Sequence, residues 1–204
     1  FIQTFRFAAE PFFFAQEKEK NSRKIYADVM KYFVIITSLI FLVVTMFYEF
    51  IILFLGENYH DERGFKVVSI LLAANLFLGI YYNLSIWYKL SEKTKYGAYL
   101  SIFGAIITLC LNFILIPKIG FLGSAWATLI CYFSMTVASY FLGKRHFIVP
   151  YQLQRILFYL GLALFPVFLP SLLYLISDTI VYLPFSLPGF DEFLSKTIET
   201  IHSL

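Results

Sequence analysis

The chain has 204 residues, 60 % of them apolar, 21 % aromatic and only 14 % charged, with a formal net charge of +3 from 16 Lys+Arg against 13 Asp+Glu. Soluble domains carry about 45–50 % apolar and about 25 % charged residues, so these figures exclude disorder and a secreted disulfide scaffold and leave an integral membrane protein. So small a net charge gives no reason to expect nucleic acid as a partner, and the placement of the charges matters more than their sum.

Phe1 to Ala15 is uncharged apart from Arg6 and Glu10, and it reads as the end of a membrane span whose beginning is missing. The chain is therefore expected to be a piece of a longer protein, with partner helices supplied by the absent part. Five long uncharged windows come next: Tyr32–Tyr48, Val67–Tyr88, Tyr96–Pro117, Ile119–Gly143 and Ile156–Ser177. A helix rising 1.5 Å per residue needs about 20 residues to cross the ~30 Å hydrocarbon layer. The first window is short and borrows Phe50 to Leu55 beyond Glu49, giving expected spans at about 32–55, 67–88, 96–117, 119–143 and 156–177. Backbone groups in lipid must be satisfied within their own segment, so each window is expected to be helical, and the fold to be an all-α polytopic transmembrane bundle.

Lys and Arg alternate in number along the connecting segments. Twelve of the 16 fall on one set of sides (Arg6 to Lys31, Lys89 to Lys95, Lys144 to Arg155) and four on the other (Arg63, Lys66, Lys118, Lys196). Positive residues are retained in the cytoplasm, which places residues before 32 in the cytoplasm and the tail 178–204 outside.

Two spans carry small residues at helical spacing: Gly97, Ser101, Ala105, Thr108 and Asn112 in one, Gly123, Ala127, Cys131, Ser134 and Ala138 in the next. Close approach along such stripes is the usual cause of helix association in lipid. With the short link Pro117 to Gly123, they are expected to form a tight antiparallel hairpin. Asn75, Gly79 and Asn83 share a face of the 67–88 span, and Trp87 and Tyr88 read as interfacial anchors at its end. Gly161, Pro166 and Pro170 should bend the last span. The stretch 191–204 reads either as an interfacial amphipathic helix or as the approach to another span.

Cys110 and Cys131 lie inside apolar runs and read as packing residues, not as a disulfide. No glycine-rich phosphate loop, HExxH or G-x-S-x-G occurs. Glu57, His60, Asp61 and Glu62 read as a solvated loop because no second ligand cluster joins them. No cofactor or metal is expected, and the loops are too short for the acid–base machinery of a membrane enzyme.

The candidate cavity residues are Arg6, Glu10, Asn75, Asn83 and Asn112. Arg6 and Glu10 are four apart and share a helix face. If that helix runs on to Glu17, Arg6 stands about 17 Å from the first boundary charge. An ionisable side chain at mid-membrane costs roughly 2.5–3.5 kcal/mol and normally faces a partner or a wet cavity. The alternative is that Pro11 ends the helix early and Arg6 snorkels to the headgroups. For the three asparagines, interhelical hydrogen bonding competes with ligand contact. The basic clusters 18–24 and 89–95 read as topology determinants that can also meet anionic headgroups or a pyrophosphate.

Several segments resemble a known family. Phe5-Arg6-Phe7-Ala8-Ala9-Glu10-Pro11-Phe12-Phe13-Phe14 with Met30-Lys31-Tyr32-Phe33, and Gly104-Ala105 through Asn112 to Pro117-Lys118-Ile119-Gly120 and Gly123 to Thr128, are similar to bacterial lipopolysaccharide biosynthesis proteins of the oligosaccharide flippase type. The wider superfamily also holds lipid II flippases and multidrug and toxin extrusion transporters. The resemblance covers residues 1 to 165 and lies in the order and spacing of the segments. It implies two pseudo-symmetric lobes around a cavity opening alternately to each side, with this chain as most of the C-terminal lobe and the N-terminal lobe absent. It further implies translocation of a polyprenyl-pyrophosphate-linked oligosaccharide across the bacterial inner membrane, with membrane lipids as partners and Arg6 at the place of a cavity cation. An ion-coupled drug exporter of the same fold, and less so a membrane enzyme of a polysaccharide pathway, are the competing expectations.

Overall fold

The computed structural model describes residues 1–47, 62–165 and 168. Among them the secondary structure is helical, with no strand: α1 Ile2–Ala15, α2 Ser22–Met46, α3 Glu62–Leu84, α4 Ile86–Leu90, α5 Lys95–Ile119, α6 Phe121–His146 and a shorter apolar helix α7, Leu153–Phe165. Four stretches are long and apolar enough to cross a membrane: Ser22–Met46, Lys66–Leu90, Lys95–Ile119 and Phe121–His146. At 1.5 Å per residue each exceeds the ~30 Å of hydrocarbon. The chain separates into two units, Phe1–Leu164 and Phe165–Leu204, and helices α1 to α6 lie wholly within the first.

Several boundaries differ from expectation. The first span begins at Ser22 and not Tyr32, because Arg23, Lys24, Asp28 and Lys31 continue the helix; Lys31 pairs with Asp28 at 2.9 Å, one turn away. Its extension to 55 and Glu49 lies outside the described residues, as do Glu57, His60 and Asp61. The fifth window is helical up to Phe165; its remainder, with Pro166, Pro170 and the tail 191–204, also lies outside them. Among the described residues no group of three His, Cys, Asp or Glu could hold a metal.

Helices α1 and α2 form an antiparallel hairpin. Phe13 meets Tyr26 edge-on with ring centroids 5.2 Å apart, and the Tyr26 hydroxyl donates to the Phe13 carbonyl at 3.1 Å. Phe33 of α2 packs on Phe5 at 4.4 Å and against Gly79 of α3, where a Cβ would collide with its ring. Helices α3 and α6 run parallel, joined by Thr136 Oγ1 donating to the Phe77 carbonyl at 3.0 Å and by Phe133 edge-on to Phe77. Other hydroxyls (Thr37, Thr45, Ser101, Thr108, Thr128) donate to carbonyls of their own helices, which satisfies them without water.

The expected α5–α6 hairpin is present and tighter than its link suggests. Pro117 lies in the last turn of α5, and Gly120 alone separates the helices. Its φ of 62° and ψ of −141° belong to a region open essentially to glycine. Gly123 then backs onto α5 so closely that a Cβ there would stand 2.6 Å from the Leu115 carbonyl carbon. On α6 the buried stripe is Gly123, Ala127, Cys131, Met135, Ser139 and Gly143, spaced four apart; Ser134 and Ala138 are only partly covered. The α5 stripe needs a larger correction. Ser101 and Ala105 are exposed, and the face that meets α6 is centred on Leu100 and Gly104, with Cys131 Sγ 3.3 Å from the Gly104 carbonyl. The helix turns toward its partner the face holding a large residue beside a glycine, because Met135 fills the notch above Gly104.

Trp87 and Tyr88 are not interfacial anchors. Both are buried; the Trp87 indole N–H donates to Ser139 Oγ at 3.3 Å, and its ring stacks on His146 at 5.5 Å. His146 also meets Tyr96 at 3.3 Å, and Arg23 lies over Phe147 at 5.2 Å. These contacts gather the basic segments 18–24, 89–95 and 144–145 at one end of the bundle. Cys131 packs in the core as expected, whereas Cys110 faces outward.

Candidate functional site

Helix α1 passes through Pro11 without ending, its backbone continuing to Ala15. Proline removes one donor and bends a helix more readily than it stops one already packed on neighbours. Arg6 therefore does not snorkel from a broken helix; it stands one turn inward from Glu10 on a continuous one.

That helix lies parallel to α3 and α4, and the pairing brings three charges together. Glu10 Oε1 accepts from Lys89 Nζ at 2.5 Å and stands 3.7 Å from Arg6 Nε. The Arg6 guanidinium lies over the Tyr82 ring at 4.9 Å and beside Phe7 at 5.2 Å. Tyr82 is seven residues before Lys89, so Arg6 sits about 10 Å of helix rise in from the basic end. Two cations share one carboxylate, and the cluster carries one net positive charge.

The three charged groups line a recess of about 500 Å³, together with Tyr81, Tyr82, Ser85, Tyr88, Ser101 and Tyr132. A pocket of about 300–1,000 Å³ accepts a ligand of drug size. Its floor is the break between α3 and α4 at Ser85, whose hydroxyl donates to the Tyr82 carbonyl at 2.7 Å. Tyr81 and Tyr88 hydroxyls meet at 3.5 Å. Arg6 Nε is buried with no hydrogen-bond partner among the described residues. A buried charged donor without a hydrogen bond is costly unless water or a ligand reaches it.

Of the sequence-predicted residues, Arg6 and Glu10 are on the recess. Asn83 lines a narrow crevice beside them with Phe5, Ala9 and Phe13; its amide donates to the Gly79 carbonyl at 3.1 Å, and its Oδ1 is buried and unpartnered among the described residues. Asn75 is exposed and donates to Leu71 of its own helix. Asn112, whose Oδ1 is likewise buried and unpartnered, sits on α5; neither of these two lines the recess. The amide N–H bonds of Asn75 and Asn83 thus run within a helix and not between helices. The sequence reading takes Lys89 only as part of the basic cluster 89–95 and Tyr88 only as an interfacial anchor, and does not single out Tyr81, Tyr82 or Tyr132. A signal for them exists: Leu78, Tyr82, Ser85 and Lys89 recur at i, i+4, i+7 and i+11, one helix face.

Fold and hydropathy together define an all-α polytopic bundle of membrane-spanning helices. No protein-family model, no curated protein and no solved structure matches the chain.

Proposed function

We propose that this chain forms one wall of a pathway that moves a polyprenyl-pyrophosphate-linked oligosaccharide from the cytoplasmic to the periplasmic leaflet of the bacterial inner membrane, with the basic end of the bundle cytoplasmic. The observation that carries the reading is a net-cationic recess among apolar helices, lined by Arg6, Glu10 and Lys89, with the Arg6 guanidinium over Tyr82. A sugar–pyrophosphate head cannot enter hydrocarbon unaided, because its charges and hydroxyls lose their hydration. Arg6 and Lys89 supply attraction for the pyrophosphate, and Glu10 holds both in place when the recess is empty. The choice of a lipid-linked glycan over other anions rests on the resemblance of the segments 5–14 and 104–128 to oligosaccharide flippases. A drug exporter would need an acidic group free for a cationic cargo, and Glu10 is instead committed to two cations. In this reading the chain transports and does not catalyse. Arg6→Ala in the full-length protein should abolish surface polysaccharide while leaving the amount of protein in the membrane unchanged, and Arg6→Lys should restore part of it. Normal polysaccharide in Arg6→Ala would overturn the proposal.

A further inference from the structure

Arg6 lines two openings, the recess and the narrow crevice between α1 and the α3–α4 segment. The crevice has about 10 Å³ of free volume, at the lower bound for one water molecule and too little for two. Most of its wall is apolar: Phe5, Ala9 and Phe13 from α1, and Ile86 from α4. Two polar atoms on the residues that line it are closed to solvent and lack a hydrogen-bond partner among the described residues. They are complementary. The Arg6 Nε–H can only donate, and Asn83 Oδ1 can only accept. Glu10 Oε1, at 3.7 Å from Arg6 Nε, is too far to take that hydrogen. The Asn83 amide is held by its donation to the Gly79 carbonyl at 3.1 Å, which leaves its oxygen free. Ser85, also on the crevice, donates its hydroxyl hydrogen to the Tyr82 carbonyl and keeps its lone pairs.

We infer that the crevice binds one ordered water, which ties Arg6 to Asn83. The water accepts from Arg6 Nε–H, donates one hydrogen to Asn83 Oδ1 and donates the other to Ser85 Oγ. Three hydrogen bonds are usual for a buried water, and two atoms that are costly to leave unpaired both gain a partner. This water makes the link between α1 and α3 that the Asn83 amide N–H, turned to its own helix, does not make. Asn83 is therefore a positioning residue: it acts through the water on the Nε edge of the guanidinium. The inference concerns the protein's own polar network and holds whatever anion the recess takes.

Radiolytic hydroxyl-radical footprinting of the full-length protein in detergent, read by mass spectrometry, tests it, because a bound water split in place oxidises the side chains beside it. Phe13 lines the crevice at 3 % exposure, whereas Phe41, at 2 %, lines neither opening. Phe13 should be oxidised several-fold faster than Phe41. Asn83→Leu, which puts an apolar group of similar size in place of the acceptor, should lower Phe13 to the rate of Phe41. Asn83→Asp, which keeps an oxygen at the same position, should preserve the fast oxidation, a rescue that a purely packing role for Asn83 would not give. Tyr82, which also lines the recess, should be oxidised alike in all three proteins. Equal rates for Phe13 and Phe41 in the unaltered protein would overturn the inference, and so would fast oxidation of Phe13 that persists in Asn83→Leu. The first comparison needs no variant, so it decides the matter even where Asn83→Leu does not fold.

Discussion

Replacing Glu10 by Gln removes the one negative charge that two cations share. Because Lys89 Nζ and Arg6 Nε reach the same oxygen at 2.5 Å and 3.7 Å, they stand at most about 6 Å apart, and at an effective dielectric constant of about 20 their repulsion is about 3 kcal/mol. The three side chains are a quarter to a third exposed, so water screens part of this. Breaking a fully buried pair costs about 3–5 kcal/mol and an exposed one about 0–1, which puts Glu10→Gln at about 2 kcal/mol. For a chain of this size that lowers the melting temperature by about 4–8 °C. Thermal unfolding of the full chain in detergent, followed by size-exclusion chromatography, reads the shift. The decisive feature is a change of sign. Lys89→Met should destabilise the unaltered protein, where Lys89 has a partner, and stabilise the Glu10→Gln variant, where it faces only Arg6. Equal costs for Lys89→Met in both backgrounds would refute the shared-carboxylate account.

Two further outcomes test the packing. Gly123→Ala should cost about 1–3 kcal/mol, because its Cβ meets the backbone of Leu115 and the hairpin must open; Gly161→Ala, which faces open space, should stabilise by up to about 1 kcal/mol, and the two measured side by side in thermal unfolding should move in opposite directions. Ser139→Ala should cost about 1–3 kcal/mol by leaving the buried Trp87 indole N–H without its acceptor, and should shift Trp87 fluorescence; an unmoved spectrum with unmoved stability would show that the bond contributes nothing.

Composition and charge order alone determined the class of this protein. Windows of about 20 uncharged residues admit only helices in lipid, since no water is there to satisfy the backbone, and the alternation of basic loops already separated the two ends that the bundle joins. Helical spacing also found the α6 stripe and put Arg6 and Glu10 on one face. Tertiary structure decided which face of each helix turned inward. In α5, the face of Leu100 and Gly104 won over that of Ser101 and Ala105 because the Met135 side chain fits the glycine notch. Trp87 left the interface for a buried hydrogen bond to Ser139. The site itself depended on that choice, because Glu10 and Lys89 are 79 residues apart, and nothing in a local pattern encodes that α1 and α4 lie side by side. Their meeting is a property of how the helices pack.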